Sequence, residues 1–410
     1  MSKNGKASAG PLDHIKVLDL CLARAGPTAV RVLADMGAQV IQVIRPSEAG
    51  IDASLPNFDR ENVHRNKRSI SLDLQTDAGR EVFYRLVKDA DVVVENFRAD
   101  VKYRLKVDYE TLRKTNPRIV LGSISGFGQD GPYAERPGVD QIAQGLGGLM
   151  SITGPPGGGP WRVGVPISDL CSGMYLAHGI MAALIERERS GKGQWVQTSL
   201  LEAMIAMLDF QATRWLIAGE VPPQAGNDHP TAFPMGVFPA SDGMINIAAS
   251  GDRMWRDFLK VIGAEELAED ERFRTPRARG SHRAELRAEV EGKLRQRTSA
   301  EWIQALNAVG VPCGPILSID QTFADPQVQH LAMAQPVHSD KYGDLTLVRS
   351  PVRLSRTSTS LRRAAPSPGA HTEEVLREYG YTAEQIARLA ESGAIGERKA
   401  EPSASPGREA

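Results

Sequence analysis

The sequence has few of the features that mark specialised protein classes. Of its 410 residues only three are cysteines, Cys21, Cys171 and Cys313, and none forms a C-x-x-C pair. This spacing argues against a disulfide framework and against a zinc site. The 49 lysines and arginines almost balance the 50 aspartates and glutamates, so no global basic field is available to hold a nucleic acid or an anionic membrane. Any anionic ligand must therefore be bound by locally placed Arg and Lys.

Long apolar runs are also missing. The N-terminal stretch MSKNGKASAGPLDH lacks the apolar core of a signal peptide, and no uninterrupted apolar run approaches the ~20 residues of a membrane span. We therefore expect a soluble, cytoplasmic protein. The composition, 41% hydrophobic and 24% charged, is ordinary for a globular protein. A chain of this length is expected to form two or three domains.

Several common cofactor and catalytic motifs are absent too. The turn DLCLARAGPTAV lacks the G-x-G-x-x-G fingerprint, and the glycine-rich GLGGLM and GPPGGGP do not follow a strand. This disfavours a nicotinamide oxidoreductase but leaves room for a nucleotide-like ligand at the same place. There is no G-x-S-x-G elbow for a serine hydrolase. The eight histidines show no H-x-x-x-H spacing, so we expect no metal.

What the sequence does contain is an alternation of short apolar runs and amphipathic segments. Strands are predicted at IKVLDL, AQVIQVI, DVVVENF and PRIVLGSISGFG, and helices at GPTAVRVLADMG, DAGREVFYRLVKDA and DYETLRKTN. This alternation predicts a parallel α/β sheet, in which ligands bind at the carboxyl ends of the strands. Arg24, Arg45 and Arg98 each fall just beyond a predicted strand end. The alternative for most of the basic residues of this region, these three included, is a solvated surface charge.

The pattern changes in the second half of the chain. A glycine-rich loop region (145–164) precedes helices predicted at about 170–188 and 199–219. FPMGVFPASDGMINIAA predicts a β-hairpin and EWIQALNAVG a charged amphipathic helix, whereas 337–355 again suits strands and EEVLREYGYTAEQIARLAESG a helical hairpin. We predict disordered tails at 1–11 and 396–410, a large α/β domain at 12–225 and a smaller α+β domain at 226–325. A segment at 326–395 is predicted to return to the large domain.

One carboxylate lies in unusual surroundings. The stretch VPISDLCSGMYL places Asp169 between an apolar run and a segment of small, mostly apolar residues, where an unpaired charge is costly. Asp169 is a favoured residue type for the N-cap of a helix that begins directly after it. Alternatively it is a nucleophile whose charge is stabilised by N–H groups at the helix end. Spacing does not choose between these. The neighbouring Cys171 has no histidine pattern to activate it and suits a buried structural thiol.

A series of ordered motifs covers residues 12 to 396. In the first half they are VLDL…AGPTAVRVLADMGAQVIQV, NKRSISLDL, ADVVVENFRADV, NPRIVLGSISGFGQDGPYAERPGVD, VGVPISDLCSG and SGKGQWVQTSLLEAM, and in the second FPASDGMINIAA, GVPCGPI and HTEEVLREYGY. With these motifs the chain resembles the family III CoA-transferases, which include formyl-CoA:oxalate and carnitine CoA-transferases. The resemblance implies a Rossmann-like large domain, a smaller α+β domain and a homodimer of interlocked rings. It also implies acyl-CoA and carboxylic acid substrates, with no permanently bound cofactor.

The resemblance assigns roles to individual residues. It implies that Asp169 attacks the acyl-CoA thioester, giving a mixed anhydride and then an aspartyl-CoA thioester, and that Asp140 approaches it as a supporting acid. The residues that match the CoA-binding positions of the family are Arg24, Ala25, Arg45, Leu72, Gln75, Asn96, Phe97, Arg98 and Arg104. Arginine suits phosphates through its planar fork of donors.

The sequence departs from the family at a few positions. Ile44 replaces a glutamate that many members carry, SEAGID (47–52) replaces a Gly-Asp, and Pro137 stands about where oxalate-using members have a lysine. The acid substrate is therefore open, with a dicarboxylate such as succinate as an expectation. The α-methylacyl-CoA racemases share the fold but use a histidine where this chain has Val139, which disfavours racemisation. The intact Asp169 argues against a non-catalytic CoA-binding protein.

Overall fold

The computed structural model describes residues 10–48 and 57–396. The two predicted disordered tails lie almost entirely outside these residues, as does most of the SEAGID departure. The strands are β1 (Lys16–Asp19), β2 (Gln39–Ile44), β3 (Lys67–Ser71), β4 (Val92–Glu95), β5 (Val120–Ser125), β6 (Trp195–Ser199), β7 (Met235–Pro239), β8 (Met244–Ala248), β9 (Cys313–Pro315), β10 (Ala334–Ser339) and β11 (Gly343–Val348). The helices are α1 (Ala25–Asp35), α2 (Phe58–His64), α3 (Asp77–Val87), α4 (Val101–Arg104), α5 (Tyr109–Thr115), α6 (Asp140–Leu146), α7 (Leu149–Ile152), α8 (Ile167–Ser190), α9 (Leu200–Met207), α10 (Phe210–Ala218), α11 (Asp252–Ile262), α12 (Pro276–Ser281), α13 (Arg283–Leu294), α14 (Ser299–Ala308), α15 (Ile319–Ala324), α16 (Pro326–His330), α17 (Thr372–Glu378) and α18 (Ala383–Glu391).

The chain forms two compact units. Within the described residues, the first comprises 10–48, 57–147, 164–207 and 331–396, and the second comprises 148–163 and 208–330. In this grouping 208–225 belongs with the second unit, whereas the predicted domain boundary lay at 225. The segment after residue 331 groups with the first unit.

A six-stranded sheet organises the first unit. All its strand pairs are parallel, in the order β3-β2-β1-β4-β5-β6. This is the strand order of doubly wound dinucleotide-binding folds, and the order reverses between β1 and β4. The predicted α/β class with a parallel sheet is confirmed. Strands β3 and β6 were not predicted from the sequence.

Helices cover both faces of this sheet, which explains why Val17 and Leu18 of β1 and residues 92–94 of β4 are all apolar and buried. On one face Leu18, Val93 and Leu121 of the strands share one buried core with Phe83 of α3 and Leu376 of α17. On the other face lie α1 and α8, which pack against each other. The glycine at position 122 of β5 lets α8 pack closely on the sheet, since an added Cβ would lie 2.8 Å from Ile180 Cδ1 of α8. The sheet thus supports α8 directly.

Three predicted segments differ from the structure. The helix predicted from about residue 170 begins earlier, at Ile167, so that Asp169 lies inside its first turn. The helix predicted at 199–219 is two helices, α9 and α10, separated at Asp209, whose φ is +47°. The region 145–164, predicted as loop, includes the end of α6 and the short α7.

The second unit is built on an antiparallel sheet of order β7-β8-β9. The β7–β8 hairpin confirms the predicted one, and α14 confirms the helix predicted at EWIQALNAVG. Its core contains Phe238, Phe258 and Trp302, each at most 2% exposed. Helix α11 contributes an apolar side to this core, with Trp255, Phe258, Leu259 and Ile262 buried.

Of the helices in the described residues, α8 alone is long and apolar enough by composition to cross a bilayer, and half of its most apolar window is buried inside the fold. Packing against α1, β5 and β6 accounts for that composition. A buried core helix passes the same test of length and hydropathy, so α8 is weak support for a membrane span.

Candidate active site

The predicted ligand-binding residues follow the carboxyl ends of four neighbouring strands. In the spatial order of the sheet, Gln75 follows β3, Arg45 follows β2, Arg24 follows β1 and Asn96 follows β4. Because neighbouring strands lie ~4.8 Å apart, these four loops together form an edge of about 15 Å. An elongated ligand can therefore lie along this edge, across the point where the strand order reverses.

The loop after β1 is held by the side chain of Asn96, which follows β4, the neighbour of β1 in the sheet. The amide of Asn96 donates to Leu22 O (2.7 Å) and accepts from Leu22 N–H (2.8 Å). The following residue, Ala23, has a φ of +54°, a left-handed conformation that is unusual without glycine. Arg24 comes next at the N-cap of α1, where its guanidinium pairs with Asp59. Asn96 thus stabilises the turn that sets the position of Arg24.

Asp169 does not cap α8. The N-cap position is Pro166, and Asp169 is the third helical residue. The cap comes from Asp140 at the start of α6, whose Oδ1 accepts from Ser168 N–H (2.9 Å) and from Ser168 Oγ (2.8 Å). The capping interpretation of Asp169 is therefore wrong, because an aspartate 29 positions earlier in the chain satisfies this helix end. Among the described residues, none donates a hydrogen bond to the Asp169 carboxylate.

The surroundings of Asp169 also change its ionisation. Burial of the half-buried carboxyl and the neighbouring charge of Asp140 raise its pKa from 3.8 to about 6, against the opposing effect of Arg24. Asp140 is itself 8% exposed, and Gln144 Nε2 donates to its Oδ2 at 2.8 Å. The position of Asp169 in the first turn of α8 places its carboxylate near the partial positive charge of the helix end. Asp169 is therefore mostly ionised at neutral pH while its oxygens remain available.

The remaining predicted CoA-binding residues differ in exposure. Arg45 is 63% exposed and pairs with Glu48 at 2.7 Å, and Arg104 is 72% exposed. Arg98 and Gln75 are also exposed. Leu72, in contrast, is a core residue with 1% exposure. Ala25 is buried in the first turn of α1 and Phe97 is half-buried beside the sheet core.

Comparisons with known proteins identify the family of the chain. The family model described as CoA-transferase family III matches residues 12–372. The chain belongs to CoA-transferase family III. It is 40% identical to the succinate–glutarate CoA-transferase of Agrobacterium fabrum, over 90% of this chain and 95% of that protein. It is 36% identical to the succinyl-CoA:mesaconate CoA-transferase of Haloarcula marismortui, over 90% of this chain and 97% of that protein.

A solved structure shows the same fold. The CAIB/BAIF family protein from Brucella suis is 36% identical, with a TM-score of 0.79, covering 91% of this chain and all of that one. The resemblance drawn from the sequence motifs is thereby confirmed, and so is the assignment of the chain as a CoA-transferase. These enzymes act on CoA thioesters.

Some residues of the site in this CoA-transferase were not identified from sequence. Ser168 and Gln144, both 0% exposed, hold the carboxylate of Asp140. The sequence signal for Ser168 was its position directly before Asp169. In the structure its hydroxyl and its backbone N–H donate to the same acceptor, Asp140 Oδ1. The signal for Gln144 was its spacing of four residues from Asp140, which places both on one helix face.

The residue that distinguishes the related racemases is also visible. Val139 lies at the N-cap of α6 and is 61% exposed, so no imidazole precedes Asp140.

The thiol of Cys171 is buried beside Asp169, and burial raises its pKa. A thiol of this kind suits packing, as expected from the sequence. Within the described residues no group of three or more His, Cys, Asp or Glu is arranged to hold a metal ion.

Proposed function

We propose that this CoA-transferase moves CoA between small dicarboxylic acids, with Asp169 as the nucleophile. The observation that carries the proposal is the contrast in hydrogen bonding at the start of α8. Asp140 satisfies the helix end, while the half-buried Asp169 accepts no hydrogen bond from the described residues. A carboxylate with free lone pairs and a pKa near 6 is ionised at neutral pH and nucleophilic.

The reaction proceeds in two symmetric halves. An Asp169 oxygen attacks the carbonyl carbon of the acyl-CoA thioester, the C–S bond breaks, and the CoA thiolate leaves a mixed anhydride behind. The thiolate then attacks the aspartyl carbonyl, which releases the donor acid and forms an aspartyl-CoA thioester. The carboxylate of the acceptor repeats these steps in reverse, and one of its oxygens remains in the Asp169 side chain.

Roles for the neighbouring residues follow from charge and position. Arg24 stabilises negative charge beside Asp169, and Asp140 positions the first turn of α8. Arg24, Arg45, Asn96 and Arg98 follow the edge along which the CoA arm lies, with Arg104 beyond the end of β4. Closure of the site against water protects the anhydride and the thioester from hydrolysis.

The proposed substrates are four- and five-carbon dicarboxylates, with succinyl-CoA as donor. The similarity to enzymes named for succinate, glutarate and mesaconate supports this choice. The chemistry agrees, because a second carboxylate needs a cation and the edge of the sheet carries several arginines. A panel of acids at equal concentration, with exchange followed by mass spectrometry of the CoA thioesters, tests it. Faster exchange with acetate or butyrate than with glutarate or mesaconate contradicts it.

The nucleophile is tested separately. With an ¹⁸O-labelled acceptor acid, label is expected in the peptide that contains Asp169, and hydroxylamine is expected to trap the same side chain. Asp169→Asn is expected to abolish exchange while the protein still binds CoA. Asp77→Asn is the matched control, since Asp77 also lies in the first turn of a helix but on α3. Normal turnover of Asp169→Asn, or label confined to other peptides, contradicts the mechanism.

A homodimer is proposed as the working state. Several large apolar side chains on α6, α8 and α9 are exposed in the single chain: Ile142, Leu146, Met174, Tyr175, Ile185, Ile205 and Met207. A soluble monomer seldom exposes so many on adjacent helices. Light scattering is expected to give twice the chain mass of 44.5 kDa, and a mass of 44.5 kDa contradicts the dimer.

The cytoplasm is the proposed location, which agrees with three free cysteines.

A further inference from the structure

Helices α1 and α8 meet at a glycine. Gly173 of α8 is buried, and a Cβ added to it would lie 2.7 Å from Ala25 O, 2.8 Å from Thr28 Cβ and 2.9 Å from Thr28 Cγ2. Real Cβ atoms essentially never approach other atoms closer than 3.0 Å. One of the three neighbours is backbone, which cannot turn away. Only glycine therefore allows the two helices to approach this closely.

The two residues that interact electrostatically at the site lie next to this contact. Arg24 directly precedes Ala25 at the start of α1, and Asp169 lies one turn before Gly173 on α8. Ser172, beside Gly173, donates its hydroxyl to Asp169 O at 3.2 Å, which ties the contact to the turn that carries Asp169. A change in the distance between the helices at Gly173 is therefore expected to move the start of α1, and with it Arg24, relative to Asp169.

We infer that Gly173 is a positioning residue of the transfer reaction: it sets the approach of α1 to α8 and thereby holds Arg24 beside Asp169. The inference rests on the proposed role of Asp169 as nucleophile. Gly173 touches no substrate in this account. It acts through Arg24, whose charge favours the ionised, reactive form of the carboxylate.

Few other charges face Asp169. The elements packed against α8 are α1, α6, α9, β5 and β6, and the last two contain no titratable residue. Asp140 of α6 raises the pKa of Asp169, and Arg24 lowers it. The other charged groups on these elements are Arg31, Asp35 and Glu202. Each of those three is held by its own partner, Asn62, Arg65 and Ser199 respectively. A change in the α1–α8 distance is therefore expected to act on Asp169 mainly through Arg24.

The test compares Gly173→Ala with Gly179→Ala. Both add one methyl group to α8, but at Gly179 the Cβ would meet only a side-chain methyl, Val196 Cγ1 of β6, at 2.6 Å. We measure kcat/KM for succinyl-CoA between pH 4.5 and 8 and check folding by circular dichroism. Gly173→Ala is expected to lose about tenfold to a hundredfold in kcat/KM. The acidic limb of its pH profile of kcat/KM is expected to move to higher pH by about half a unit, because the Arg24 charge then acts on Asp169 from further away.

Two further variants make the result specific. Arg24→Gln is expected to move the acidic limb up by itself, and adding Gly173→Ala to it is expected to move the limb no further. If Gly173→Ala does not fold, Thr28→Ile enlarges the same contact from α1 and is expected to reproduce both effects.

Three results overturn the inference. They are equal losses for Gly173→Ala and Gly179→Ala, an unmoved acidic limb in Gly173→Ala, and a further shift when Gly173→Ala is added to Arg24→Gln. Turnover by Asp169→Asn would instead defeat the proposed mechanism, whatever Gly173→Ala shows. The two failures are thus distinguishable.

Discussion

Two carboxylates of the first unit lie in opposite surroundings. Asp19, at the end of β1, is fully buried, and it accepts hydrogen bonds from Lys67 Nζ (2.8 Å) and from Cys21 N–H (3.0 Å). Lys67 is also fully buried, and its Nζ lies 3.3 Å from His64 Nδ1. Asp169 is only half-buried, and it accepts no hydrogen bond from the described residues.

The difference shows that depth of burial does not identify a reactive group. The oxygens of Asp19 are occupied by a cation and a backbone N–H, so it stabilises the end of β1 and has little left to react with. In the same network, burial and the neighbouring Lys67 lower the pKa of His64 well below its usual value, which leaves the imidazole neutral as an acceptor. Asp169 has fewer contacts, and its free oxygens suit it for attack.

The largest effect is expected from breaking the buried pair. Lys67→Met leaves the Asp19 charge buried without a partner, which is expected to lower the free energy of unfolding by about 3–5 kcal/mol. Urea titration followed by circular dichroism measures this. The double variant Asp19→Asn/Lys67→Met is expected to recover part of the loss. A change below about 1 kcal/mol in Lys67→Met would show that the pair is not structural.

The second prediction concerns the pH dependence of turnover. Because the pKa of Asp169 is about 6, activity is expected to fall about tenfold for each pH unit below it, as the nucleophile becomes protonated. Asp140→Asn removes the like charge and is expected to move this limb to lower pH. Initial rates across pH 4.5–8 measure it, and wild-type rates that stay constant from pH 7 down to pH 4.5 would contradict the assignment.

Removing Asp169 is expected to stabilise the protein, in contrast to breaking the Asp19 pair. Since its folded-state pKa of about 6 lies above the value of 3.8 for an unperturbed carboxyl, the native state binds this proton more tightly than the unfolded chain. Stability is therefore lost as pH rises from about 4 through 6. Asp169→Asn lacks this loss and is expected to be more stable by about 1–2 kcal/mol at pH 8, after discounting for solvent screening.

The control for that prediction is the same variant in acid. At pH 3 both states are largely protonated, so Asp169→Asn and the wild type are expected to unfold at the same urea concentration. A variant that is less stable than the wild type at pH 8 would mean that Asp169 is structural, like Asp19.

An effect of similar size is expected at the loop after β1, which Asn96 holds through Leu22. Asn96→Ala removes both hydrogen bonds to Leu22 and is expected to cost about 1–2 kcal/mol of stability. The freed turn no longer holds Ala23 at positive φ, so kcat/KM is expected to fall about tenfold. Adding Ala23→Gly is expected to restore part of the activity, because glycine adopts this conformation readily. No rescue would mean that Asn96 acts only by contact with substrate.

The smallest effect is expected at Arg45. Among the described residues this exposed arginine pairs with Glu48, three residues away, and exposed pairs contribute about 0.2–1 kcal/mol. Arg45→Gln is therefore expected to leave stability unchanged within about 0.5 kcal/mol. If Arg45 binds the CoA phosphates, KM for the thioester is expected to rise several-fold, more at low salt than at high salt. An unchanged KM would remove Arg45 from the binding edge.

Local pattern was sufficient for much of the fold. The runs that became β1, β2, β4 and β5 are apolar and short, so periodicity and length identified them. Strand β3 was missed because KRSIS begins with two cations, and a sequence reading places lysine at the surface. Lys67 is buried there only because Asp19 lies on a strand two positions away in the sheet. Strand β6 was missed because it is a short, partly exposed edge strand that leads directly into α9.

The sequence by itself determined the family, the parallel sheet and the set of candidate residues, since these depend on local periodicity and on ordered motifs. Only the tertiary structure decided which aspartate caps α8, which glycine lets α1 approach it, and that Asn96 holds the Arg24 turn. Those contacts join residues between 28 and 145 positions apart in the chain (Asp140–Ser168, Asn96–Leu22 and Gly173–Thr28). The hydrogen-bond partner that a helix end finds depends on what the fold brings near it, and spacing along the chain does not contain that information.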